Sequence, residues 1–434
     1  MTTAAFFPFV GHFYAKPLYI DKALGCYVFD ESGRRFLDAY SGVATVSVGH
    51  SHPCVTKSVI DQALRVSHTT LLYRTRILDT YLDALASCFP AHLNRFFPVN
   101  SGSEAVDFAC QVARAHRGRP LIAALATGYH GGSFLTKSVT GIPAWRPVFG
   151  GDPDVVFAEV RPCRTCSESG WNADAKMVSG LSAILSAKPS ASCSGSCLDP
   201  LAAIFKLRGS DIAGLVLEPI PGVGGILTRC AGFFEQLGNL RKQWEFDLIC
   251  DEVQTGFGRL GKTMFGFQRF GLAPDLVCLG KAIANGFPLG MIVGTEEASK
   301  EMGKKLHFST FGGNPVSCAA ANATLQVIKE EKLLDNAEVV GETLLDELRR
   351  RLAASPTCIE IRGLGLMVGV ELADSASAST ALDKCFERGL LIGLGGPNRN
   401  VLRIQPPLCF TREMAAETAR ILSESVPTEN LKSV

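Results

Sequence analysis

The hydrophobic residues in the middle of the chain fall into short runs separated by helical stretches. The runs are "RFFPV", "LIAALAT", "AGLVLEPI", "FDLICDE", "DLVCLG" and "GMIVGT". After the first run, Ala105, Phe108, Ala109 and Val112 recur at the spacing i, i+3, i+4, i+7 of a helix, and Gly118 is its expected stop. Short apolar strands alternating with helices predict an α/β domain with a mostly parallel central sheet.

The C-terminal third of the chain has a different pattern. A long charged helical pattern (residues 327–355) precedes strand patterns at "IEIRGLGLMVGVEL" and "VLRIQPPLCF", and Thr411 is the expected N-cap of a last helix. These segments predict a smaller α+β domain beside the large one. We expect residues 1–65 and 320–434 to form the small domain and residues 66–319 the large domain.

Residues 161–203 interrupt this organisation with a stretch rich in Ser, Ala and Cys. The stretch is typical of an insertion or a long surface loop carried by the large domain. Its cysteines form two close pairs, Cys163 with Cys166 and Cys193 with Cys197, and four thiolates of this kind can hold a structural zinc ion. A Ser- and Ala-rich loop with spare cysteines needs no metal, so both interpretations remain open.

Composition narrows the class of protein. The chain has 434 residues, which suits two domains, and its net charge of +1 gives no field that would attract nucleic acid or an anionic membrane. No apolar run approaches the ~20 residues that cross a bilayer, and the N-terminal residues lack the features of a signal or transit peptide. Fifteen scattered cysteines fit reduced thiols, so we expect a soluble cytoplasmic protein.

Two charged residues come at the ends of predicted strands. Asp251 ends "LICD", and Lys281 directly follows "DLVCLG". Ligands of open α/β sheets bind beyond the carboxyl ends of the strands, so an acid and an amine would face one crevice. Each residue alone also fits a surface position just past a strand, and an unpaired buried carboxylate would be costly. Their joint placement favours a chemical use.

Two further features complete this arrangement. "NSGSEA" lies between a strand and a helix, where backbone amides bind phosphate or carboxylate, although many strand–helix turns look alike. Tyr129 follows the strand "LIAALAT" and offers an aromatic ring. Pyridoxal phosphate needs a lysine for a Schiff base, a carboxylate for its pyridine nitrogen, a phosphate cup and a ring partner. The combination predicts this cofactor.

The motifs that carry this chemistry occur in the order of a known family. They are "FLDAYSGVATVSVGHSHP", "NSGSEA", "GYHGG", "EPIPGVGG", "CDEVQTGFGRLG", "LGKAIANGFPLG" and "TFGGNP". The chain thereby resembles the class III (omega) aminotransferases, which are fold-type I pyridoxal 5'-phosphate enzymes, and most of all their mitochondrial-type alanine–glyoxylate branch. The resemblance covers nearly the whole chain.

The resemblance implies roles for the residues around the cofactor ring. Lys281 would form the Schiff base, and Asp251 would pair with the pyridine nitrogen. Tyr129 would stack on the ring, and Gln254 would lie near the phenolic oxygen. We interpret His130 as a structural hydrogen-bonding residue rather than a catalytic one.

Three further residues are implied in binding the phosphate. The amides of Gly102 and Ser103 would hold it within one chain. Thr310, in "STFGGNP", would reach the phosphate of the neighbouring subunit's cofactor, and this implies a homodimer.

The implied substrate site contains Arg403, Glu218 and Tyr40. Arg403 matches the arginine that binds the α-carboxylate, and Glu218 matches the acid that neutralises it. Ornithine-type and acetylornithine-type members carry a second arginine where this chain has Gly132. We therefore expect alanine, or an ω-amino acid, as donor and a small 2-oxo acid, glyoxylate or pyruvate, as acceptor.

Three alternatives have their own distinguishing features. A lyase on the same fold would eliminate phosphate from an amino-alcohol phosphate and release ammonia without an amino acceptor. Another class III aminotransferase would use 2-oxoglutarate. A non-catalytic protein on this scaffold would have lost Lys281 or Asp251, and both are present.

Overall fold

A computed structural model describes Phe7, Tyr14 and residues 17–160 and 196–429. The strands in chain order are β1 (Ile20–Leu24), β2 (Tyr27–Asp30), β3 (Arg35–Asp38), β4 (Leu93–Val99), β5 (Leu121–Leu125), β6 (Val155–Ala158), β7 (Ile212–Leu217), β8 (Asp247–Asp251), β9 (Leu276–Leu279), β10 (Gly290–Thr295), β11 (Cys358–Leu364), β12 (Met367–Leu372), β13 (Leu390–Leu391), β14 (Gly393–Gly395) and β15 (Val401–Ile404).

Nine helices of ten or more residues lie in the described part of the chain. They are α1 (Pro53–Arg65), α2 (Arg76–Ala86), α3 (Gly102–Arg117), α4 (Asp199–Arg208), α5 (Ala231–Trp244), α6 (Pro315–Glu330), α7 (Leu333–Leu352), α8 (Ser375–Glu387) and α9 (Arg412–Ser425). Shorter helical segments lie at Ser41–Ala44, Phe134–Val139, Gly266–Arg269 and Glu296–Ser299, with 3₁₀ turns at Pro143–Trp145, Ser196–Leu198, Gly209–Asp211, Lys281–Ala284 and Met302–Lys304. None of the described helices is both long and apolar enough to cross a membrane.

A seven-stranded sheet in the order β4-β10-β9-β8-β7-β5-β6 forms the centre of the region predicted as the large domain. The pairs from β9 through β6 are parallel, so the predicted mostly parallel sheet is confirmed. Strand β10 is the exception and pairs antiparallel with β4 and β9. Only residues 280–289 separate β9 from β10, too few for a parallel crossover of a dozen or more residues.

Both faces of this sheet are buried. In β7, Leu215 and Leu217 face one apolar cluster while Val216 faces the other. In β8, Leu248 faces the first cluster and Ile249 the second. Side chains alternate between the faces of a strand, so a strand covered on both faces reads as a continuous apolar run. For this reason the sequences of these strands show no alternation of apolar and polar residues.

The first and last parts of the chain share a sheet. The first three strands and β13 form a four-stranded sheet in which β13 runs parallel to β3, with Leu390 opposite Leu37. Strands β11, β12, β15 and β14 form a separate antiparallel sheet. The first and last parts of the chain are thus joined in one sheet, and the division into two domains stays a prediction.

Helix ends follow the sequence signals in some places and not in others. Gly118 ends α3 in the left-handed conformation, and Thr411 caps α9 by accepting a hydrogen bond from the Met414 amide, as predicted. The helical pattern of residues 327–355 is instead divided between α6 and α7, where Lys332 has a φ of 53°. Helix α4 begins inside the predicted insertion, whose residues 161–195 lie outside the described part of the chain.

Candidate active site

A cavity of about 300 Å³ lies where β8 and β9 end. Asp251 is the last residue of β8 and lies opposite Cys278 of β9. Cys278 precedes Lys281 by three positions in the sequence. The amide of Glu252 donates to the carbonyl of Cys278 at 2.9 Å and extends this alignment past the strand. Because neighbouring parallel strands end at one edge, Asp251 and Lys281 both line the cavity.

The backbone at Lys281 is strained. Its φ is 47°, in the left-handed region that residues other than glycine rarely adopt. Strain of this kind persists where the surrounding structure imposes it, and it is common at functional sites. It begins the 3₁₀ turn Lys281–Ala284 and is a feature that the apolar pattern of the sequence did not reveal.

The amine of Lys281 has no hydrogen bond or ion pair with any described residue. The side chain borders the cavity and is half-buried, and burial lowers its pKa. The charges of Asp251 and Glu218 oppose this shift, whereas Arg403 adds to it. A lysine with a lowered pKa is more often a free amine near neutral pH, and the free amine is the form that acts as nucleophile or base.

His130 holds the carboxylate of Asp251. Its Nδ1 lies 2.8 Å from Oδ2 of Asp251, and the Val253 amide donates to Oδ1 at 3.1 Å. Burial alone would lower the pKa of His130, but the hydrogen bond and charge of Asp251 raise it. A carboxylate partner favours the tautomer or imidazolium in which Nδ1 carries the proton. The sequence offered His130 only as a structural hydrogen-bonding residue, without naming this partner.

The carboxylate of Glu218 is bound by two backbone amides. Oε1 accepts from Tyr129 and Oε2 accepts from Gly222, both at 2.9 Å. Burial raises the pKa of Glu218 to about 7, with His130 opposing the shift. The implied neutralisation of Arg403 by Glu218 is not present in this structure, because the two side chains have different partners.

Arg403 is buried with neutral partners. Nη1 donates to the Tyr40 hydroxyl at 3.0 Å, and Nη2 donates to Oε1 of Gln254 at 2.8 Å and of Gln405 at 2.7 Å. Nε is buried without a partner, and no carboxylate of the described residues forms an ion pair with this guanidinium. An unmatched buried cation is costly, so the site suits an incoming carboxylate.

Gln254 and Gln405 were not expected to form this cluster. The resemblance placed Gln254 near the cofactor, and it does line the cavity, but its Oε1 accepts from both Arg403 and Gln405. Gln405 follows the end of β15 and lies 151 positions from Gln254. Nothing in "LRIQPP" predicts a contact over that distance.

The first turn of α3 forms a narrow cradle beside the cavity. Ser101 caps the helix by accepting from the Glu104 amide, and Gly102 begins it. A Cβ on Gly102 would lie 2.7 Å from Val253, and a Cβ on Gly131 would lie 2.3 Å from Ser103 Oγ. Backbone therefore approaches where a side chain would fill the space, which suits the binding of an anion at this helix N-terminus.

These features fit pyridoxal phosphate. An amine without a partner, a carboxylate and the amides of a helix N-terminus line the same cavity. The half-buried ring of Tyr129 lines it too, with its edge contact to Trp145 at a centroid distance of 5.2 Å. The separate groups that the cofactor requires are thus brought together.

Thr310 lies outside this cavity. Its side chain is exposed, and its neighbour Ser309 accepts a hydrogen bond from Asn100, which lines the cavity, at 3.4 Å. The role of Thr310 toward a neighbouring subunit stays a prediction.

The zinc candidates are mostly beyond the described residues. Cys163, Cys166 and Cys193 belong to the part that is not described, and Cys197 is half-buried. Within the described ranges, no cluster of three or more metal-binding side chains occurs. The zinc site therefore stays a prediction.

Comparison with known proteins relates these features to one family. The family described as aminotransferase class-III matches residues 11–426. Alanine–glyoxylate aminotransferase 2 homolog 2 of Arabidopsis thaliana, a mitochondrial protein, is 38% identical over 410 residues, which cover 93% of this chain and 81% of the relative.

Two further relatives have other activities in their names. The acetylornithine aminotransferase of Methanothermobacter thermautotrophicus is 33% identical over 402 residues, covering 92% of this chain and 91% of the relative. The solved structure of a phospholyase from Arthrobacter in complex with phosphoethanolamine is 30% identical, with a TM-score of 0.83 over 96% of both chains. Similarity of this extent supports a shared scaffold and leaves the substrate to be argued from the site.

Proposed function

The chain belongs to the class-III aminotransferase family, and we propose that it transfers the amino group of alanine to glyoxylate, or that of an ω-amino acid such as β-alanine to glyoxylate or pyruvate. The family resemblance, the fold-type I architecture and the cofactor, pyridoxal 5'-phosphate, are confirmed. The chain is a pyridoxal-phosphate-dependent aminotransferase, and its substrates are small molecules. The choice of donor and acceptor is the proposal.

Pyridoxal phosphate, when bound, supplies an aldehyde for amines and a ring that withdraws electrons. Lys281 would bind it covalently, and after a donor amine displaces the lysine, its free Nζ would remove the α-proton of the donor. Asp251, oriented by His130, would keep a proton on the ring nitrogen. The amides of Gly102 and Ser103 would hold the phosphate at the start of α3.

The observation that carries the substrate proposal is the buried guanidinium of Arg403, which has no carboxylate partner among the described residues. A planar guanidinium binds a carboxylate through two parallel hydrogen bonds. The position of the second arginine of other members is Gly132, which is exposed and has open space where a side chain would stand. One cationic binding group favours an acceptor with one carboxylate.

Glu218 is proposed to act when the donor brings an amine without a nearby carboxylate. Pairing with Arg403 would require Glu218 to leave the amides of Tyr129 and Gly222, which bind it in this structure. With a pKa of about 7, its charge responds to small changes in the charges around it. This suits alternate binding of donors such as alanine and β-alanine.

A panel of acceptors tests the proposal. Purified protein with the cofactor is given alanine as donor with glyoxylate or 2-oxoglutarate as acceptor. Pyruvate is tested with β-alanine as donor. The value of kcat/KM is measured for each acceptor. We expect a monocarboxylate to be the best acceptor. A tenfold preference for 2-oxoglutarate, about 1.4 kcal/mol in the transition state, would contradict the proposal.

The phospholyase alternative has support from the Arthrobacter structure, which is 30% identical. Incubation with phosphoethanolamine and no keto acid distinguishes the two activities. Release of ammonia and phosphate at a rate above that of transamination would replace our assignment with the lyase.

We also propose that the enzyme is a homodimer. Leu306, Phe308 and Phe311 are exposed around Thr310, and Leu72 and Tyr73 are exposed on a neighbouring segment. The two segments are joined because the Asn314 side chain donates to the Ser67 carbonyl. Contiguous exposed apolar residues are typical of an interface.

Sedimentation and a single variant test the shared site. We expect a dimer that persists on dilution, since obligate interfaces bury about 2,000 Å² or more. Thr310→Ala should clearly weaken cofactor retention and should lower Tm only slightly. An active monomer would refute the shared site.

The cytoplasm is the location we propose, because fifteen cysteines scattered along the chain fit a reducing compartment. The Arabidopsis relative is mitochondrial, so cell fractionation is needed. Recovery of the protein with mitochondrial markers would contradict the proposal.

A further inference from the structure

Two cysteines from opposite ends of the chain lie against each other. The Sγ atoms of Cys26 and Cys409 are 3.6 Å apart, although 383 positions separate the residues. Cys26 is buried at the hairpin between β1 and β2, and Cys409 is half-buried in the segment after β15. Neither thiol has a part in the site described above.

The backbone around Cys26 is held by several hydrogen bonds. Its carbonyl accepts from the Asp38 amide at 2.8 Å. The preceding Gly25 exchanges two backbone hydrogen bonds with His50, at 3.0 and 2.8 Å. The position of the first thiol is therefore set by this part of the fold, independently of Cys409.

The segment around Cys409 is held just as firmly. The Gln405 amide donates to the Ala39 carbonyl at 2.8 Å, and the Leu408 amide donates to the Ser47 carbonyl at 2.7 Å. The side chain of Asn336 donates to the carbonyl of Leu408. Since a thiol pair contributes little attraction of its own, these backbone contacts are what bring the sulfur atoms together.

The two thiols differ in reactivity. The pKa of Cys409 is lowered by its hydrogen bond with Cys26 and further by the charge of Arg259, against burial, which raises it. The same hydrogen bond and burial raise the pKa of Cys26. A partly exposed thiol of lowered pKa beside a second thiol is the arrangement of a redox-reactive pair.

We propose that Cys26 and Cys409 are a thiol–disulfide site, which reacts with low-molecular-weight disulfides of the glutathione class. Bond formation brings the sulfur atoms to about 2.05 Å, so they approach each other by about 1.5 Å. A glycine borders the pair, Gly49, where a Cβ would lie 3.1 Å from Cys409 Sγ. The oxidised pair fastens the first hairpin to the segment that carries Gln405, a partner of Arg403.

The reaction balances in two exchanges. The Cys409 thiolate attacks one sulfur of the external disulfide, forms a mixed disulfide and releases one thiolate. Cys26 then attacks the Cys409 sulfur, releases the second external thiolate and passes its proton to it. Two protein thiols are oxidised to one disulfide, and one external disulfide is reduced to two thiols.

Glutathione disulfide is the probe, applied to the folded holoenzyme before digestion and mass analysis without reductant. We expect a Cys26–Cys409 cross-linked peptide, without bound glutathione, that disappears on reduction with dithiothreitol. Cys54→Ser, which removes an exposed thiol on α1, should leave the cross-link unchanged. In Cys26→Ser, glutathione should instead remain on Cys409.

Two outcomes that overturn the proposal are read in the wild-type protein and need no variant to fold. Absence of the cross-link in the wild-type protein would refute it, as would glutathione that stays on Cys409 while Cys26 is present. If glutathione labels Cys26 in Cys409→Ser as much as it labels Cys409 in Cys26→Ser, Cys409 does not react first.

Discussion

Replacing Arg403 tests how the enzyme recognises its acceptor. Its guanidinium is held by Tyr40, Gln254 and Gln405 and has no anionic partner among the described residues. An acceptor carboxylate that displaces a neutral partner from Nη2 can form two charge-assisted hydrogen bonds with it, each contributing about 1.5–3 kcal/mol. Arg403→Ala should lose both, which corresponds to roughly 10²–10⁴-fold in kcat/KM.

Arg403→Lys is the matched variant, because it keeps the charge and loses the planar fork. We expect it to lose about one of the two bonds, roughly 10–100-fold in kcat/KM. Tyr40→Phe removes a single neutral support and should have a smaller effect than either.

The assay compares pyruvate with an aldehyde acceptor that has no carboxylate. The loss should be confined to pyruvate and should appear mainly in KM, with cofactor retention unchanged. Equal losses for both acceptors, or a loss below about tenfold for Arg403→Ala, would refute the assignment of Arg403 as the carboxylate-binding residue.

Three further predictions concern residues in or beside the cavity. Lys281→Ala should keep the cofactor bound without a covalent link, and mass analysis after borohydride reduction would contradict this if it still found a covalent adduct. Burial raises the pKa of Glu218 from 4.5 to about 7, so the folded state binds its proton more tightly, and the free energy of unfolding should fall as pH rises between these values. The Tm of the cofactor-free protein should fall between pH 5 and pH 8, and Glu218→Gln should make this fall smaller. Part of the fall should remain, because burial also raises the pKa of Glu252 to about 7. An unchanged fall in Tm would exclude Glu218 as its source. Gly132→Arg has open space and should raise kcat/KM for 2-oxoglutarate relative to pyruvate by roughly tenfold, and no change in that ratio would contradict the role of this position.

The strand ends could be predicted because both faces of the central sheet are buried. Continuous apolar runs mark β8 and β9, so Asp251 and Lys281 could be placed at one edge from the sequence. The reversed direction of β10 was not predicted, although the short connection of residues 280–289 contains the signal. The break between α6 and α7 at Lys332 was not predicted either, because no glycine or proline stands there to indicate the end of a helix.

Contacts between distant segments could not be predicted in the same way. The partners of Arg403 include Gln254, 149 positions away, and the partner of Cys26 lies 383 positions away. Periodicity describes which face of an element is buried, and it contains no information on which other element covers that face. These contacts follow from the way segments that are distant in the sequence pack against one another.

The separation of the two half-reactions tests the central claim most directly. The holoenzyme is mixed with alanine alone, and the yellow absorption of the aldehyde form, pyruvate and ammonia are followed together. We predict loss of the yellow absorption with about one pyruvate released per chain and no ammonia, and its return on addition of glyoxylate alone, with release of glycine. Ammonia released without an acceptor, or no stoichiometric pyruvate from alanine, would contradict the account.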